Sequence, residues 1–360
     1  MIPVTKTYLP SLEKYNEYLK RAWKKAWLTN RGELTLELED KLKKKLSVNN
    51  IIITNNGTLP LQIALKLLGK NGEIITTPFS YVATTAAIVW ENCIPVFVDI
   101  HPEYLTIDET KIEAAITPRT TAILATHVFG NPCHIDAIKN IANKYNLKVI
   151  YDAAHCFGVN YNNDSIFNYG DVSTCSFHAT KIFHTGEGGA MFCSDENLNH
   201  QLFYSHNFGH NGPLDFHGLG INAKISELQS AMGLAVFDDI DYILEERKKV
   251  VAYYDNKLTF NTVKKIKIRE NTQWNYSYYP IILNSEDMLL KILEALSIEN
   301  IIPRRYFFPS LNTINYTKGE NMPISESIAA RILCLPLYVG LQEVDLNKIC
   351  KIINQITLKC

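Results

Sequence analysis

The sequence predicts an α/β fold, with a mostly parallel central sheet wrapped by helices and a smaller α+β domain behind it. Three observations carry that prediction. Between residues 50 and 195, short apolar runs rich in β-branched residues alternate with stretches of helical length. One of these runs, Val149-Ile150-Tyr151, delivers Asp152 at its C-terminal end, as a buried strand does. Beyond residue 240 the strands become fewer and more widely spaced, so 1–240 reads as the large domain and 241–360 as the small one.

Taken in order, residues 11–46 give two helices broken near Leu28-Thr-Asn-Arg-Gly32. Tyr15, Tyr18, Leu19, Ala22 and Trp23 recur near helical spacing in the first, and Leu34, Leu38, Leu42 and Leu46 in the second. Strands follow at Ile51–Thr54, Glu73–Thr76, Pro95–Val98, Ala122–Ala125, Lys148–Tyr151 and Gly189–Cys193. Helices lie between them at Leu59–Leu68, Val82–Trp90 and Ile135–Tyr145. Pro60 suits the first turn of its helix, where its missing N–H would have had no partner. One or two helices fill Ile225–Glu246. The small domain then offers strands at Val263–Ile268 and Tyr276–Leu283, a helix at Asp287–Glu299, the run beginning at Ile302, and a closing amphipathic helix at Leu346–Ile356.

Bulk properties narrow the function. Lys+Arg number 36 against 37 Asp+Glu, so no basic excess points to nucleic acid and no acidic tail to a binding hub. The longest uncharged stretch, Ile74–Trp90, is too polar and slightly short for a membrane span, and the N-terminus lacks the pattern of a signal peptide. The eight cysteines, at 93, 133, 156, 175, 193, 334, 350 and 360, form no CxxC pair and read as reduced thiols of a cytoplasmic protein. His206-Asn-Phe-Gly-His210 has HxxxH spacing but no glutamate after the first histidine, and its glycines argue against a regular helix, so no metal site is expected.

The chemistry concentrates around Lys181. Phe177, Ile182, Phe183 and the Gly186-Glu187-Gly188-Gly189 turn give it a partly apolar setting that favours the neutral, nucleophilic amine. Such an amine can hold an aldehyde as a Schiff base. Asp152, at a strand's end, has the position from which parallel sheets present catalytic groups, although a helix cap is an equal reading of that residue alone. Asn56-Gly57-Thr58 is a tight turn entering a helix, where the backbone of Gly57 and Thr58 and the Thr58 hydroxyl can meet a phosphate. Tyr81 follows a strand and is the candidate aromatic to lie flat against a cofactor ring, although such a residue taken alone is more often core.

In order, Gly57-Thr58, Pro78-x-x-Tyr81-x-Ala83-Thr84, Asp152-x-Ala154-His155, Ser176-Phe177-His178-x-Thr180-Lys181, Gly186-Glu-Gly-Gly189 and Gly220-x-Asn222 resemble the DegT/StrS family of pyridoxal phosphate (PLP)-dependent sugar aminotransferases. The likeness runs over nearly the whole chain. It implies the fold-type I transferase architecture and a homodimer with active sites at the subunit interface. The amino donor is then L-glutamate, released as 2-oxoglutarate, and the acceptor a nucleotide-linked keto sugar. By that resemblance Lys181 is the Schiff-base lysine and Asp152 the partner of the pyridine nitrogen. Ser176, Thr58 and the Gly57 backbone bind the cofactor phosphate, and Asn222 reaches the neighbouring subunit's phosphate, with basic Lys224 beside it. His155 stands where many relatives have Gln beside the ring's phenolic oxygen, which leaves its role open between donating and packing.

For substrate contacts the resemblance offers Trp27, Thr29, His184, Arg305 and Tyr306, with His178 and Arg304 as neighbours. Packing or surface charge is the competing reading for each. Within the family, the stretches 76–85 and 178–185 look most like the branch that aminates C4 of dTDP-4-keto-6-deoxyglucose for surface polysaccharide, including the lipopolysaccharide O-antigen. The alternatives are C3 amination of a dTDP-3-keto-6-deoxyhexose, or a PLP-binding regulator without turnover. Related dehydratases carry His in place of the lysine, so Lys181 argues against them.

Overall fold

In the computed structural model, which describes residues 1–260, 263–317 and 319–358, the alternation of residues 50–195 becomes a seven-stranded sheet. Across the sheet the order is Ile52–Thr54, Gly189–Phe192, Val172–Ser176, Lys148–Asp152, Thr120–Thr126, Glu73–Thr76 and Ile94–Phe97. All pairings are parallel except those of Gly189–Phe192, which runs against both neighbours. Parallel strands need crossovers, and the helices Leu59–Leu68, Val82–Trp90 and Ile135–Tyr145 supply them with the bounds expected from sequence. Both faces of the sheet are therefore covered, and Ile74, Ile75, Ile123, Leu124 and Ile150 are fully buried.

One strand of this sheet was not expected. Val172–Ser176 looks polar, yet it is buried because its small hydroxyls are paired locally. Ser173 Oγ donates to Tyr169 O at 2.8 Å and Thr174 Oγ1 to Tyr151 O at 3.4 Å.

The N-terminal helices Leu12–Lys25 and Glu33–Leu46 pack against the helix Glu227–Phe237, and the leucine series 34, 38, 42 and 46 is buried as its spacing predicts. The chain between the two helices is anchored from below. Glu227 is buried, and its carboxylate accepts from Leu34 N at 2.7 Å, Thr35 N at 3.1 Å and Thr35 Oγ1 at 2.5 Å, capping the second helix.

The C-terminal part holds an antiparallel sheet of Val263–Lys265, Tyr279–Leu283 and Ile332–Leu335, with the helices Glu286–Ile298 and Glu343–Thr357 packed together beside it. The expected strand at 276–283 begins only at Tyr279. Buried Arg247 takes the carbonyls instead, donating to Tyr276 O at 3.1 Å and Ser277 O at 2.6 Å, so Tyr278 turns out of the ladder. The helix Ile240–Lys257 joins the two parts. Ile240 and Ile243 belong to the core of the large sheet, and Val250, Val251 and Tyr254 to that of the small one. Residues at the N-terminus also join the C-terminal part, through the parallel pairing of Ile2–Pro3 with Ile301–Ile302.

Candidate active site

The C-terminal ends of the parallel strands bring one cluster of polar and aromatic side chains together. Lys181 sits in the loop after Val172–Ser176, which closes on itself through Thr185 N to Phe177 O at 3.0 Å and Ala179 N to Gly186 O at 2.6 Å. Ile182 and Phe183 are buried and fix the loop from beneath. The Lys181 amine lies 5.8 Å from the centre of the Tyr278 ring. Burial lowers its pKa, and the charge of Asp152 opposes that only in part, so the neutral amine is more accessible than in a free lysine.

Asp152 is buried, with Oδ2 accepting from Thr84 Oγ1 at 2.6 Å and Oδ1 from Ala154 N at 3.1 Å. Burial raises its pKa, and these two hydrogen bonds work in the opposite sense. His155 is buried nearby. Its Nδ1 accepts from Phe129 N at 3.1 Å, which places the proton of the neutral ring on Nε2 as a donor. Burial also holds its pKa well below the usual imidazole value.

Aromatic side chains wall the pocket. His155, Phe129 and Phe307 lie within 9° of parallel with centres 5.7 to 6.1 Å apart, and Tyr278 approaches His155 at 4.9 Å. Tyr306 touches both Tyr278 and Phe307, each at 5.4 Å, and its phenol and the Lys181 amine act on each other's ionisation. Tyr81 precedes the helix Val82–Trp90 and leaves 58% of its surface exposed, so a flat partner has access to the ring.

At the mouth of the helix Leu59–Leu68 the turn at Gly57 presses on Ser176. A β-carbon on Gly57 would come within 2.8 Å of Ser176 Cβ, so only glycine allows the approach. Thr58 N and Leu59 N both donate to Asn56 Oδ1, at 2.9 and 3.0 Å. The expectation that Thr58 offers its backbone is therefore corrected. The donors left for an anion here are the Gly57 N–H and the hydroxyls of Thr58 and Ser176.

Other expected residues lie elsewhere. Asn222 is exposed, accepts from Lys224 Nζ at 2.7 Å, and shares a cavity of about 680 Å³ with Thr29, Asn55, Asn56, Glu187 and Lys224 rather than with Lys181. Trp27 is 55% exposed and lies against Gly32 on the same flank.

One substrate assignment does not hold. His184 is buried, with Nε2 donating to Tyr8 O at 2.7 Å and Nδ1 accepting from Gly186 N at 3.2 Å, so it pins the N-terminal arm and has no group left for a substrate. Arg305 donates to Glu286 at 2.6 Å and Ala330 O at 2.9 Å and stacks on Phe308 at 3.5 Å. Its neighbour Arg304 is the exposed one, with its guanidinium 6.0 Å from the Tyr306 ring. His178 is held by Thr180, 2.8 Å from Nδ1. The two ends of the HxxxH stretch diverge: His206 is buried, whereas His210 stacks on Phe216 at 5.0 Å.

Sequence reasoning missed Thr84, Tyr278, Phe307 and Glu227. Thr84 alone had a signal, since it falls in the same motif as Tyr81 and one helical turn past Ser80.

The sequence profile of the DegT/DnrJ/EryC1/StrS aminotransferase family matches residues 11–354. The chain belongs to that family. It is 40% identical to dTDP-4-amino-4,6-dideoxy-D-glucose transaminase of Shigella dysenteriae and 39% to that of Escherichia coli, over 98% of each chain. The structure matches that of DesI, solved in the presence of its TDP-sugar product, with a TM-score of 0.93 and 29% identity over 99% of this chain and 93% of that one. The chain is thus a transaminase on the aminotransferase fold.

Aminotransferases of the DegT/DnrJ/EryC1/StrS family depend on PLP, and the residues here fit it. The Gly57 and Ser176 cradle offers N–H and hydroxyl donors to a phosphate, Asp152 offers a carboxylate to a ring nitrogen, and Lys181 offers an amine to an aldehyde. The seven described cysteines are free and buried, and Cys360 lies outside the described residues. No described helix is long and apolar enough to cross a membrane.

Proposed function

We propose that this chain moves the amino group of L-glutamate to C4 of dTDP-4-keto-6-deoxy-D-glucose, giving dTDP-4-amino-4,6-dideoxy-D-glucose for surface polysaccharide. The observation that carries the reading is end-to-end identity of 40% with a transaminase named for that product. The Lys181 pocket supports it by supplying the base the chemistry needs. We also take residues 1–240 as the large domain and 241–360 as the small one, the active unit as a homodimer, and the compartment as the cytoplasm.

Bound PLP supplies the aldehyde that carries nitrogen and the ring that accepts electrons. Gly57, Thr58 and Ser176 would anchor its phosphate, Tyr81 would cover a ring face, and Asp152 would keep the ring nitrogen protonated. His155 donates from Nε2 toward the phenolic oxygen. The desolvated Lys181 amine takes the proton from the α-carbon of glutamate as a base and returns one at the cofactor's C4′ carbon as an acid. On acceptor amination the same amine moves the proton the opposite way. Exposed Arg304, beside Tyr306, joins Arg305 as a cation for a donor carboxylate. Asn222, Thr29 and Trp27 face a second subunit, which explains why they lie apart from Lys181 within one chain.

The deciding experiment is mass spectrometry of the purified protein with PLP, glutamate and either dTDP-4-keto-6-deoxyglucose or its 3-keto isomer. Amination of the 4-keto sugar alone is expected. Amination of the 3-keto sugar alone would move the chain to the C3 reaction.

A further inference from the structure

Behind Asp152 lies a row of buried hydroxyls that the reaction above does not use. Thr126 Oγ1 donates to Ser80 Oγ at 3.0 Å, Ser80 Oγ is 2.7 Å from Thr84 Oγ1, and Thr84 Oγ1 donates to Asp152 Oδ2 at 2.6 Å. Ser80 and Thr84 are at most 1% exposed and Thr126 is 4% exposed. Each hydroxyl has one proton, and an ionised carboxylate only accepts. Thr84 must therefore spend its proton on Asp152, Ser80 must donate to Thr84, and Thr126 must donate to Ser80. The whole row points one way, toward negative charge, and hydrogen bonds aligned in a chain strengthen one another in a buried site.

We propose that Thr84 is a positioning residue, the last member of this hydroxyl chain, which holds Asp152 turned and ionised toward the pyridine nitrogen of the cofactor. The inference rests on the PLP reading above. Three segments converge to build the chain: the loop before the helix Val82–Trp90, that helix, and the end of the strand Thr120–Thr126. The titratable groups that face Asp152 are Lys181, Cys156 and Cys175, with His155 three residues on. None of the three hydroxyls titrates, so removing one acts on these groups and adds no charge of its own.

The test is the dissociation constant of PLP measured by absorbance from pH 5 to 9. Affinity falls in acid as Asp152 takes up a proton. In Thr84→Val that limb moves up by about 1 to 2 pH units, the worth of one hydrogen bond to a charged group. Ser80→Ala moves it the same way by about half a unit, and Thr84→Ser restores it. In an Asp152→Asn background Thr84→Val adds nothing. If Thr84→Val fails to fold by circular dichroism, Ser80→Ala carries the test. A wild-type limb in Thr84→Val or in Ser80→Ala overturns the proposal, as does equal damage from Thr84→Val and Thr84→Ser. If the wild-type protein binds no PLP at any pH, the cofactor reading itself fails and takes the proposal with it.

Discussion

The pocket around Lys181 and the flank around Asn222 were expected to serve one reaction, yet they are built differently. Around Lys181 the polar groups are buried and mostly paired within the chain, with Asp152 holding two donors and His155 fixed through Nδ1. Around Asn222 the groups are half-buried or exposed, and among the described residues the Asn222 side chain accepts from the flexible amine of Lys224. Pairing within one chain lets a site be preorganised at folding, whereas exposed groups gain their geometry only when another surface arrives. In the proposed homodimer the first region would hold the reacting groups within one chain, and the second would complete a site only against the other subunit.

Lys181→Ala breaks the comparison most sharply. It removes both the nucleophile and the proton carrier, and turnover is expected to fall by at least about 10³-fold. The protein itself should remain folded, because the lost amine is a desolvated group without an ion-pair partner at 4.0 Å or less among the described residues. Stopped-flow absorbance of the glutamate half-reaction, run beside a urea melt, separates the two effects. Residual turnover within tenfold of wild type would remove Lys181 from the centre of the site.

Acid tests both regions at once. His127, beneath the pocket, and His206, on the flank side, are held neutral by burial, with pKa values lowered to about 3 and about 4. Their folded values lie below the unfolded value of about 6.5, so the unfolded chain binds more protons below that pH. Stability from these groups is present above pH 6.5 and is lost as pH falls toward 4. The slope grows from half of about 1.4 kcal/mol per pH unit at pH 6.5 to nearly all of it by pH 5, so the pair costs about 3 kcal/mol between those values. Urea midpoints should fall accordingly, and His127→Gln should halve the drop. Midpoints that do not move between pH 7.5 and 5 would show that these rings charge in place.

Glu227→Ala sharpens the comparison from the other side, since this buried carboxylate caps the helix that follows the exposed Leu28–Gly32 stretch, whose Arg31 is held separately by buried Glu39 at 2.6 Å. Glu227 accepts three donors from the start of the helix Glu33–Leu46. Losing it strands the two backbone donors, while the Thr35 hydroxyl keeps Ser230 Oγ at 2.8 Å, and is expected to destabilise the protein by about 2 to 3 kcal/mol. Because Trp27 and Thr29 ride on the same segment, the acceptor KM should rise while the glutamate half-reaction keeps its rate. A slower half-reaction with unchanged KM would place this segment in the Lys181 pocket instead.

How much of this was legible follows the same division. The helices Leu59–Leu68, Val82–Trp90 and Ile135–Tyr145 were readable to the residue because apolar spacing and cap residues are local properties. Asp152 was readable because a β-branched run announces a buried strand and so locates its end. Val172–Ser176 was not, because hydroxyls satisfied by their own neighbours leave no apolar signal. His184 was misassigned for a related reason: residue type gives the capacity to bind a substrate, but only the fold shows that Tyr8 already uses it. Tyr278 was hidden because Arg247, about thirty residues away, decides that its backbone leaves the strand.

The smallest expected effect is the most discriminating. Asn222→Ala removes an exposed amide, and its own chain should lose less than about 0.5 kcal/mol of stability. Within one subunit the Lys181 pocket does not use Asn222, so a monomer would bind PLP as before. In a homodimer whose sites are shared, the amide donates to a phosphate on the neighbour, and its loss weakens PLP binding by about tenfold. The concentration dependence then separates the two. Dilution through the dimer dissociation range, followed by analytical ultracentrifugation, should weaken wild-type PLP binding toward the mutant value and leave Asn222→Ala nearly unchanged. Equal affinity of both proteins at every concentration would mean that Asn222 serves only its own loop, and that the exposed flank completes nothing across a subunit boundary.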